Sequence, residues 1–210
     1  MLKERGDSAD IVVESPIFGY TLVADAKVFR MSRTAKNPKD FKINALSGWR
    51  KEADFAVLCS PLHQYPKSHS QLYAQALENN VCIISWEHLL FMLKNKVKES
   101  SKVTLSPLWD FSRVLSTKTV VADRKRNFIN EVNQQFLSII KGTDTDFNDF
   151  LSSQINILRL RGDDEKNYWE KEKDRILKFS KKQAIIELIS SMKINEKIKQ
   201  IEVYIDGLNN

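Results

Sequence analysis

The sequence predicts a fold of the α/β class, an α+β mixed sheet with flanking helices, followed by an all-helical C-terminal lobe. Short runs rich in Val, Ile and Leu, bounded by Pro, Gly or Asn, occur in the first hundred residues and are typical of strands. From about residue 120 onward, apolar residues instead recur at helical spacing. We therefore expect two domains, residues 1–103 and residues 104–210.

The first two predicted strands form an antiparallel hairpin. Pro16 and Gly19 lie between them in the segment SPIFG, and both residue types favour turns. Helix and strand alternate after the hairpin, which makes the sheet mixed. The predicted strands cover residues 10–13, 20–29, 55–59 and 81–84. The predicted helices of this part cover residues 41–51, 70–77 and 86–93.

The predicted lobe follows a loop at residues 104–111 and contains five segments of helical periodicity. In the first segment, Phe128, Val132, Phe136 and Ile139 fall on one stripe, as expected of an amphipathic helix. Its charged faces indicate solvated helix surface. The other four segments lie at residues 147–158, 164–179, 182–192 and 194–205.

Composition indicates a globular protein of the cytoplasm. The 210 residues are 42% hydrophobic, enough to form a core, and the net charge of +6 is compatible with a polyanionic partner. Cys59 and Cys82 lie in apolar runs without metal-ligand or disulfide spacing, which is typical of a reducing compartment. The charged N-terminus has no signal-peptide pattern, and no apolar run approaches the ~18 residues of a membrane span, so we expect no membrane contact.

Several common catalytic motifs are missing from the sequence. The six glycines do not cluster into a phosphate-cradling loop, and neither GxSxG nor CxxC occurs. His63, His69 and His88 lack the spacing of a metal site or a catalytic triad, which favours surface or structural roles. Catalysis through Ser, Cys or His is therefore disfavoured.

The predicted hairpin offers a metal site instead. Asp25 and Lys27 are two residues apart in a strand, so both side chains leave the same face of the sheet. Asp10 begins the partner strand, and antiparallel pairing brings it toward the same end. Two carboxylates beside a main-chain carbonyl suit Mg²⁺, which binds through few protein ligands. Mg²⁺ and an adjacent ammonium together provide the activated water and the charge neutralisation that phosphodiester hydrolysis needs.

An acidic residue two positions before a lysine is a weak signal by itself. Comparable acidic and basic clusters occur at residues 123–125, 164–166 and 172–173, but these lie in helical patterns, where positions two apart point in different directions. An alternative stays open, in which Asp25 and Lys27 form an ordinary ion pair on a half-exposed strand.

A basic segment follows the hairpin. Residues 27–51 include eight Lys or Arg and one acid, Asp40, an excess of +7 that is larger than the +6 of the whole chain. Basic side chains alternate there with small hydrogen-bond donors, which contact phosphates and base edges. The residues that we expect to contact DNA are Arg30, Ser32, Arg33, Thr34, Lys36, Asn37, Lys39 and Lys42. The alternative is a solvated loop without a ligand.

Residues 6–50 closely resemble the catalytic segment of the HindIII family of type II restriction endonucleases. The resemblance rests on LVADAK, FR-x-SRTAKN-x-KDFK and AL-S-x-WR, and continues through FAVLCSPLHQYP, SWEHL and NYWEKE. It implies a restriction-endonuclease-like PD-(D/E)xK core and a Mg²⁺ cofactor, with Mn²⁺ as a substitute. It also implies a homodimer that cuts double-stranded DNA at a short palindrome, AAGCTT if the family specificity is kept, alongside a cognate DNA methyltransferase that protects the host.

Carried over residue by residue, the resemblance makes Asp10 and Asp25 metal ligands, Ala26 a ligand through its main-chain carbonyl, and Lys27 the residue that positions and activates water. Ala9 stands where the motif has a proline, a change that we expect to be tolerated because the carboxylate binds the ion. Family members also have a helical region before the hairpin, whereas nine residues precede Asp10 here. Two alternatives follow: a catalytically inactive, truncated DNA-binding or dimerisation module, and a repair nuclease, which the match outside the motif disfavours.

Overall fold

A mixed sheet of four strands forms the centre of the protein, whose computed structural model describes residues 8–30, 38–67, 70–117 and 127–207. The strands are β1 (Ile11–Glu14), β2 (Thr21–Ala26), β3 (Phe55–Ser60) and β4 (Val81–Ser85). They lie side by side in chain order. The β1 and β2 strands are antiparallel, whereas β2, β3 and β4 are parallel to one another.

Nine α-helices and two short 3₁₀ turns lie within the described residues. The helices are α1 (Ile43–Arg50), α2 (Gln71–Glu78), α3 (Trp86–Lys94), α4 (Ser106–Trp109), α5 (Phe111–Thr117), α6 (Phe128–Ile140), α7 (Asp144–Leu177), α8 (Lys181–Ser191) and α9 (Ile194–Gly207). The 3₁₀ turns are Pro38–Phe41 and Leu62–Gln64. The predicted α/β class is confirmed, with a mixed sheet, flanking helices and a helical C-terminal region that fit a restriction-endonuclease-like fold.

Two predictions about the helical part were wrong. The expected loop at residues 104–111 contains α4 and the start of α5. Burial of Leu108 and Trp109 against the sheet region stabilises this turn of helix, and Pro107 suits its start. The expected separate helices at residues 147–158 and 164–179 are parts of the single helix α7. The glycine inside it, Gly162, costs a helix only about 1 kcal/mol relative to alanine.

The core lies between the sheet and the helices packed on it. The β3 and β4 strands are almost entirely buried because α1 and α2 pack against the sheet and α4, α5 and α6 contact it as well. These continuous Val, Ile and Leu runs are what parallel strands covered by helices require. The large side chains of Phe41, Leu46, Tyr73 and Phe128 are fully buried.

The chain divides into two compact units, Met1–Ile155 and Asn156–Asn210. The first contains the sheet and the helices α1 to α6. Helix α7 begins in the first unit, and its residues 156–177 belong to the second, together with α8 and α9. The predicted domain boundary after residue 103 remains a prediction. Among the described residues, no helix is both long and apolar enough to pass through a lipid bilayer.

Candidate active site

The β1–β2 hairpin brings the two predicted metal-binding acids together. Its register pairs Ile11 with Ala24. Extending that register by one residue places Asp10 opposite Asp25, and directly opposed residues of an antiparallel pair point to the same face. The main-chain N–H of Ala26 donates a 2.9 Å hydrogen bond to Asp10 Oδ2. The Asp10 carboxylate therefore reaches the end of β2, beside Asp25.

The end of β2 holds Asp25 and Lys27 in fixed positions. The backbone of Lys27 continues the pairing with β3, because its N–H donates to the Cys59 carbonyl oxygen at 2.8 Å. Lys27 Nζ forms an ion pair with Asp25 Oδ2. The Asp25 side chain is only 2% exposed, whereas that of Lys27 is 20% exposed. A buried carboxylate thus has a partly accessible ammonium at its side.

The environment of Asp25 suits a cation. Burial raises the pKa of Asp25, the Lys27 ammonium lowers it, and the neighbouring Asp10 carboxyl raises it again, with an overall increase above its usual value. Asp25 Oδ2 is buried and lacks a hydrogen-bond partner among the described residues, although it lies in the ion pair with Lys27. A carboxylate whose charge one ammonium does not fully compensate can accept a metal ion as a further partner.

The donor set at this end of the hairpin fits Mg²⁺. No group of three or more His, Cys, Asp or Glu side chains suited to a metal occurs in the described part of the chain. A metal held here would use the carboxylates of Asp10 and Asp25, the main-chain carbonyl of Ala26 and water. Mg²⁺ commonly binds through one or two carboxylates and retains several waters.

The other end of the hairpin is anchored by Glu99, which the sequence analysis did not identify. The Glu99 carboxylate accepts hydrogen bonds from the hydroxyls of Ser15 and Tyr20, the latter at 2.7 Å, and from Leu105 N at 2.8 Å. Burial alone raises the pKa of Glu99, but these hydrogen bonds outweigh it and lower the pKa overall. Trp109 Nε1 donates to the Tyr20 hydroxyl at 2.8 Å. These hydrogen bonds therefore connect the hairpin to the segment that leads into α4.

Gln64 is a second residue near the site that the sequence did not indicate, and its side chain is buried. Its amide oxygen accepts from Phe29 N, and its amide nitrogen donates to the Phe29 carbonyl, both at 2.9 Å. This pair of bonds replaces a strand partner for Phe29, which lies two residues beyond Lys27. Gln64 thereby fixes the chain where β2 passes into the basic segment. The apolar residues around the sequence PLHQYP give no indication of this contact.

Glu87 and Cys59 lie close to the site without belonging to it. Glu87, near the start of α3, accepts a 2.9 Å hydrogen bond from Leu62 N. Burial, and then the charge of Glu87, raises the pKa of Cys59 to about 12. A thiol with such a pKa stays protonated and is a poor nucleophile near neutral pH.

The structure describes three of the eight residues predicted to contact DNA. Arg30, Lys39 and Lys42 are exposed, and they lie on either side of residues 31–37. Lys42 has a left-handed backbone, with φ of 50°, directly before α1. The other predicted residues, Ser32, Arg33, Thr34, Lys36 and Asn37, lie outside the described residues.

His88 has the structural role that its sequence context indicated. Its ring bonds Ser85 at the N-cap of α3 and the Asn133 side chain at 2.9 Å. Burial lowers the pKa of His88 to about 4, although the Asn133 hydrogen bond raises it somewhat. His63 is exposed, and His69 lies outside the described residues. Because His88 is neutral and fully engaged at neutral pH, it is not available as a catalytic base.

Comparison with known proteins gives matches over nearly the whole chain. Residues 1–204 match the family model of the HindIII restriction endonuclease. The chain is also 41% identical over 207 residues to the type II restriction enzyme HindIII of Haemophilus influenzae. That match covers 99% of this chain and 69% of the relative.

Proposed function

Because this chain belongs to the HindIII restriction endonuclease family, we propose that it is a Mg²⁺-dependent endonuclease that hydrolyses phosphodiester bonds of double-stranded DNA. One observation carries the proposal: Asp10 and Asp25 meet at the same end of the hairpin, with the Lys27 ammonium beside Asp25. An ordinary surface ion pair does not account for this arrangement, because Asp25 is buried and adjacent to a second carboxylate.

Each residue of the site has a task in this proposal. Asp10, Asp25 and the Ala26 carbonyl would hold the metal ion. When bound, Mg²⁺ supplies positive charge to the scissile phosphate and makes a water molecule more acidic. Lys27 would orient the attacking water for in-line attack on phosphorus and stabilise the negative charge that develops on the phosphate oxygens. Water adds to phosphorus as the bond to the 3′ oxygen breaks, which leaves a 5′-phosphate and a 3′-hydroxyl.

The basic segment provides the DNA-binding part of the proposal. Arg30, Lys39 and Lys42 neutralise backbone phosphates, whereas Arg33 and Asn37 read base edges. If the chain keeps the specificity of its family, its target sequence is AAGCTT. A palindromic target fits a homodimer with two catalytic sites, and a cognate methyltransferase would protect the host copy of the same site.

The proposal is tested with the purified chain on plasmids with and without AAGCTT. We expect discrete fragments from the plasmid with the site in Mg²⁺, and none in EDTA. Asp25→Asn should lower the cleavage rate by about 100-fold or more, because it removes the charge of a metal ligand. Asp163→Asn, at an exposed position of α7, is the matched control and should cleave at the unchanged rate.

Other outcomes separate the alternatives. Gel-shift binding without cleavage by the unmodified chain would identify an inactive DNA-binding module. Cleavage restricted to nicked or branched DNA would identify a repair nuclease. Cleavage that persists in EDTA would contradict the metal site itself.

A further inference from the structure

Two aromatic residues of the basic segment, Phe29 and Phe41, touch each other. Their rings meet edge to face, with centroids 5.2 Å apart, which is a favourable arrangement for aromatic pairs. Phe29 directly precedes Arg30, and Phe41 directly precedes Lys42. The ring contact therefore limits how far the backbone of Arg30 can move from that of Lys42.

Both aromatic residues are held by neighbouring residues of the chain, Gln64 and Tyr65. The Gln64 amide forms one hydrogen bond with the N–H of Phe29 and one with its carbonyl, both at 2.9 Å. The Tyr65 ring stacks on that of Phe41, with centroids 5.7 Å apart and planes inclined by 27°. We call this arrangement the Gln64–Tyr65 clamp. It contacts one residue on each side of the stretch between Arg30 and Lys39.

The clamp is itself attached to the sheet and to α3. The Tyr65 hydroxyl donates a 2.7 Å hydrogen bond to the carbonyl oxygen of Ile84 in β4. Leu62, at the start of the same 3₁₀ turn, donates its N–H to the Glu87 carboxylate at 2.9 Å. The side chains of Gln64 and Tyr65 are both buried, so packing restricts their rotamers. The position of the clamp is therefore set by the core and not by solvent-exposed contacts.

We propose that Gln64 and Tyr65 are positioning residues for DNA binding, which hold Arg30 and Lys42 at a fixed spacing so that both cations meet backbone phosphates together. Because the two residues are buried, they act through the backbone and ring contacts and not by touching DNA. Charged groups that are placed before binding lose less conformational entropy when the ligand arrives. Core packing alone would need only the rings, whereas the paired amide bonds also fix the direction of the Phe29 backbone.

This inference deepens the proposed function and rests on it for the identity of the ligand, which is duplex DNA. The clamp itself follows from the contacts of the described residues. DNA binding in EDTA and proteolysis without DNA both test it without requiring cleavage of DNA. A chain that binds DNA but does not cut it can therefore support the clamp and contradict the nuclease.

Two substitutions open the clamp from different sides. Gln64→Leu removes both hydrogen bonds to the Phe29 backbone, and Phe41→Leu removes the ring that Phe29 and Tyr65 contact. Phe136→Leu is the matched control, because Phe136 in α6 is as fully buried as Phe41. It loses an aromatic ring from the core without touching the clamp. If either clamp variant does not fold by circular dichroism, the other still provides the test.

Fluorescence anisotropy with a labelled AAGCTT duplex in EDTA measures the effect on binding. Each clamp variant should bind at least about fivefold more weakly than the unmodified chain, because Arg30 and Lys42 must then be ordered during binding. The slope of log K against log salt should fall by about 1–2 as phosphate contacts are lost. In Mg²⁺ the KM for plasmid should rise while kcat stays within about twofold, since Asp10 and Asp25 lie outside the clamp. Phe136→Leu should keep the affinity, the slope and the KM.

Limited digestion with trypsin, followed by mass spectrometry, tests the clamp in the absence of DNA. Cleavage after Arg30 and after Lys42 should be at least about fivefold faster in the clamp variants than in Phe136→Leu, because local opening exposes these bonds. A general loss of stability would accelerate cleavage in all three variants alike.

The results separate the proposal from its rivals. Equal affinity and equal salt slope in the clamp variants and in Phe136→Leu would overturn it, even if trypsin cuts the clamp variants faster, because the clamp would then serve stability alone. Equal digestion of all three variants would also overturn it, because Gln64 and Phe41 would not hold the two cations locally. An unmodified chain that binds no duplex would contradict the proposed function and remove DNA as the ligand, whereas the digestion would still show whether the clamp holds.

Discussion

Asp25, which we propose as a metal ligand, lies in an environment that opposes its charge. Its side chain is 2% exposed, and the Asp10 carboxyl lies next to it. Burial and the Asp10 carboxyl raise the pKa of Asp25, and the Lys27 ammonium lowers it. The pKa of Asp25 remains above its usual value, so the ammonium offsets the increase only in part. In the proposed metal site, a bound cation would offset the cost of burying this charge.

This conflict predicts that Asp25→Asn stabilises the metal-free protein at neutral pH. A carboxyl with a raised folded pKa favours folding when protonated, and that contribution disappears as the pH rises through the folded pKa. Asparagine removes the charge, so we expect a gain of about 0.5–2 kcal/mol, or about 2–4 °C in Tm per kcal/mol. Thermal unfolding in EDTA should show the gain at pH 7.5 and a much smaller one below the usual pKa of 3.8.

Asp163→Asn is the control for that measurement, because Asp163 is exposed. Its Tm should follow that of the unmodified chain at each pH. A lower Tm for Asp25→Asn at neutral pH would mean that the ion pair with Lys27 outweighs the effect of burial, and would contradict the stated reason for the raised pKa.

The contact between Gln64 and Phe29 joins the 3₁₀ turn Leu62–Gln64 to the segment that follows β2. We predict that Gln64→Leu destabilises the protein by about 1–3 kcal/mol, because both hydrogen bonds between the Gln64 side chain and the Phe29 backbone are lost. Urea unfolding measures the change. Gln71→Leu, at an exposed position of α2, should change the free energy of unfolding by less than about 0.5 kcal/mol. Equal stability of both variants would contradict the role assigned to Gln64.

The same contact shows why part of the site could not be predicted. The hairpin and its acids were predictable because strand alternation and the turn residues Pro16 and Gly19 are local signals. Gln64 reaches Phe29 across 35 residues, and Glu99 reaches Tyr20 across 79. Such pairings depend on how the elements pack, and a single sequence carries no local pattern for them.

Some helix boundaries were predicted wrongly for a related reason. The short helix α4 forms in a segment whose Pro, Trp and Asp look like a loop, because burial of Leu108 and Trp109 outweighs local preference. For α7 the error was the opposite, since a break was predicted within a continuous helix. The apolar spacing predicted two separate segments there, yet they form one helix of 34 residues, in which the cost of Gly162 is small compared with helix cooperativity.

Charge is unevenly distributed along the chain. Residues 27–51 have an excess of +7, whereas the C-terminal unit has twelve basic and ten acidic residues. DNA phosphates bind where positive charge is concentrated. Each phosphate that the protein neutralises makes its affinity for DNA more dependent on salt concentration. The net charge of +6 alone therefore says little about where DNA binds.

This distribution predicts that position, and not total charge, controls DNA affinity. Arg30→Gln with Lys42→Gln should weaken duplex binding and reduce the slope of log K against log salt by about 2, since two phosphate contacts are lost. Lys171→Gln with Lys173→Gln removes the same charge from exposed positions of α7 and should leave the slope unchanged. Fluorescence anisotropy with a labelled duplex in EDTA, across a salt series, measures both. Equal losses in the two double variants would mean that the basic segment only contributes to the general field of the protein, because a dedicated phosphate-binding surface must distinguish these positions.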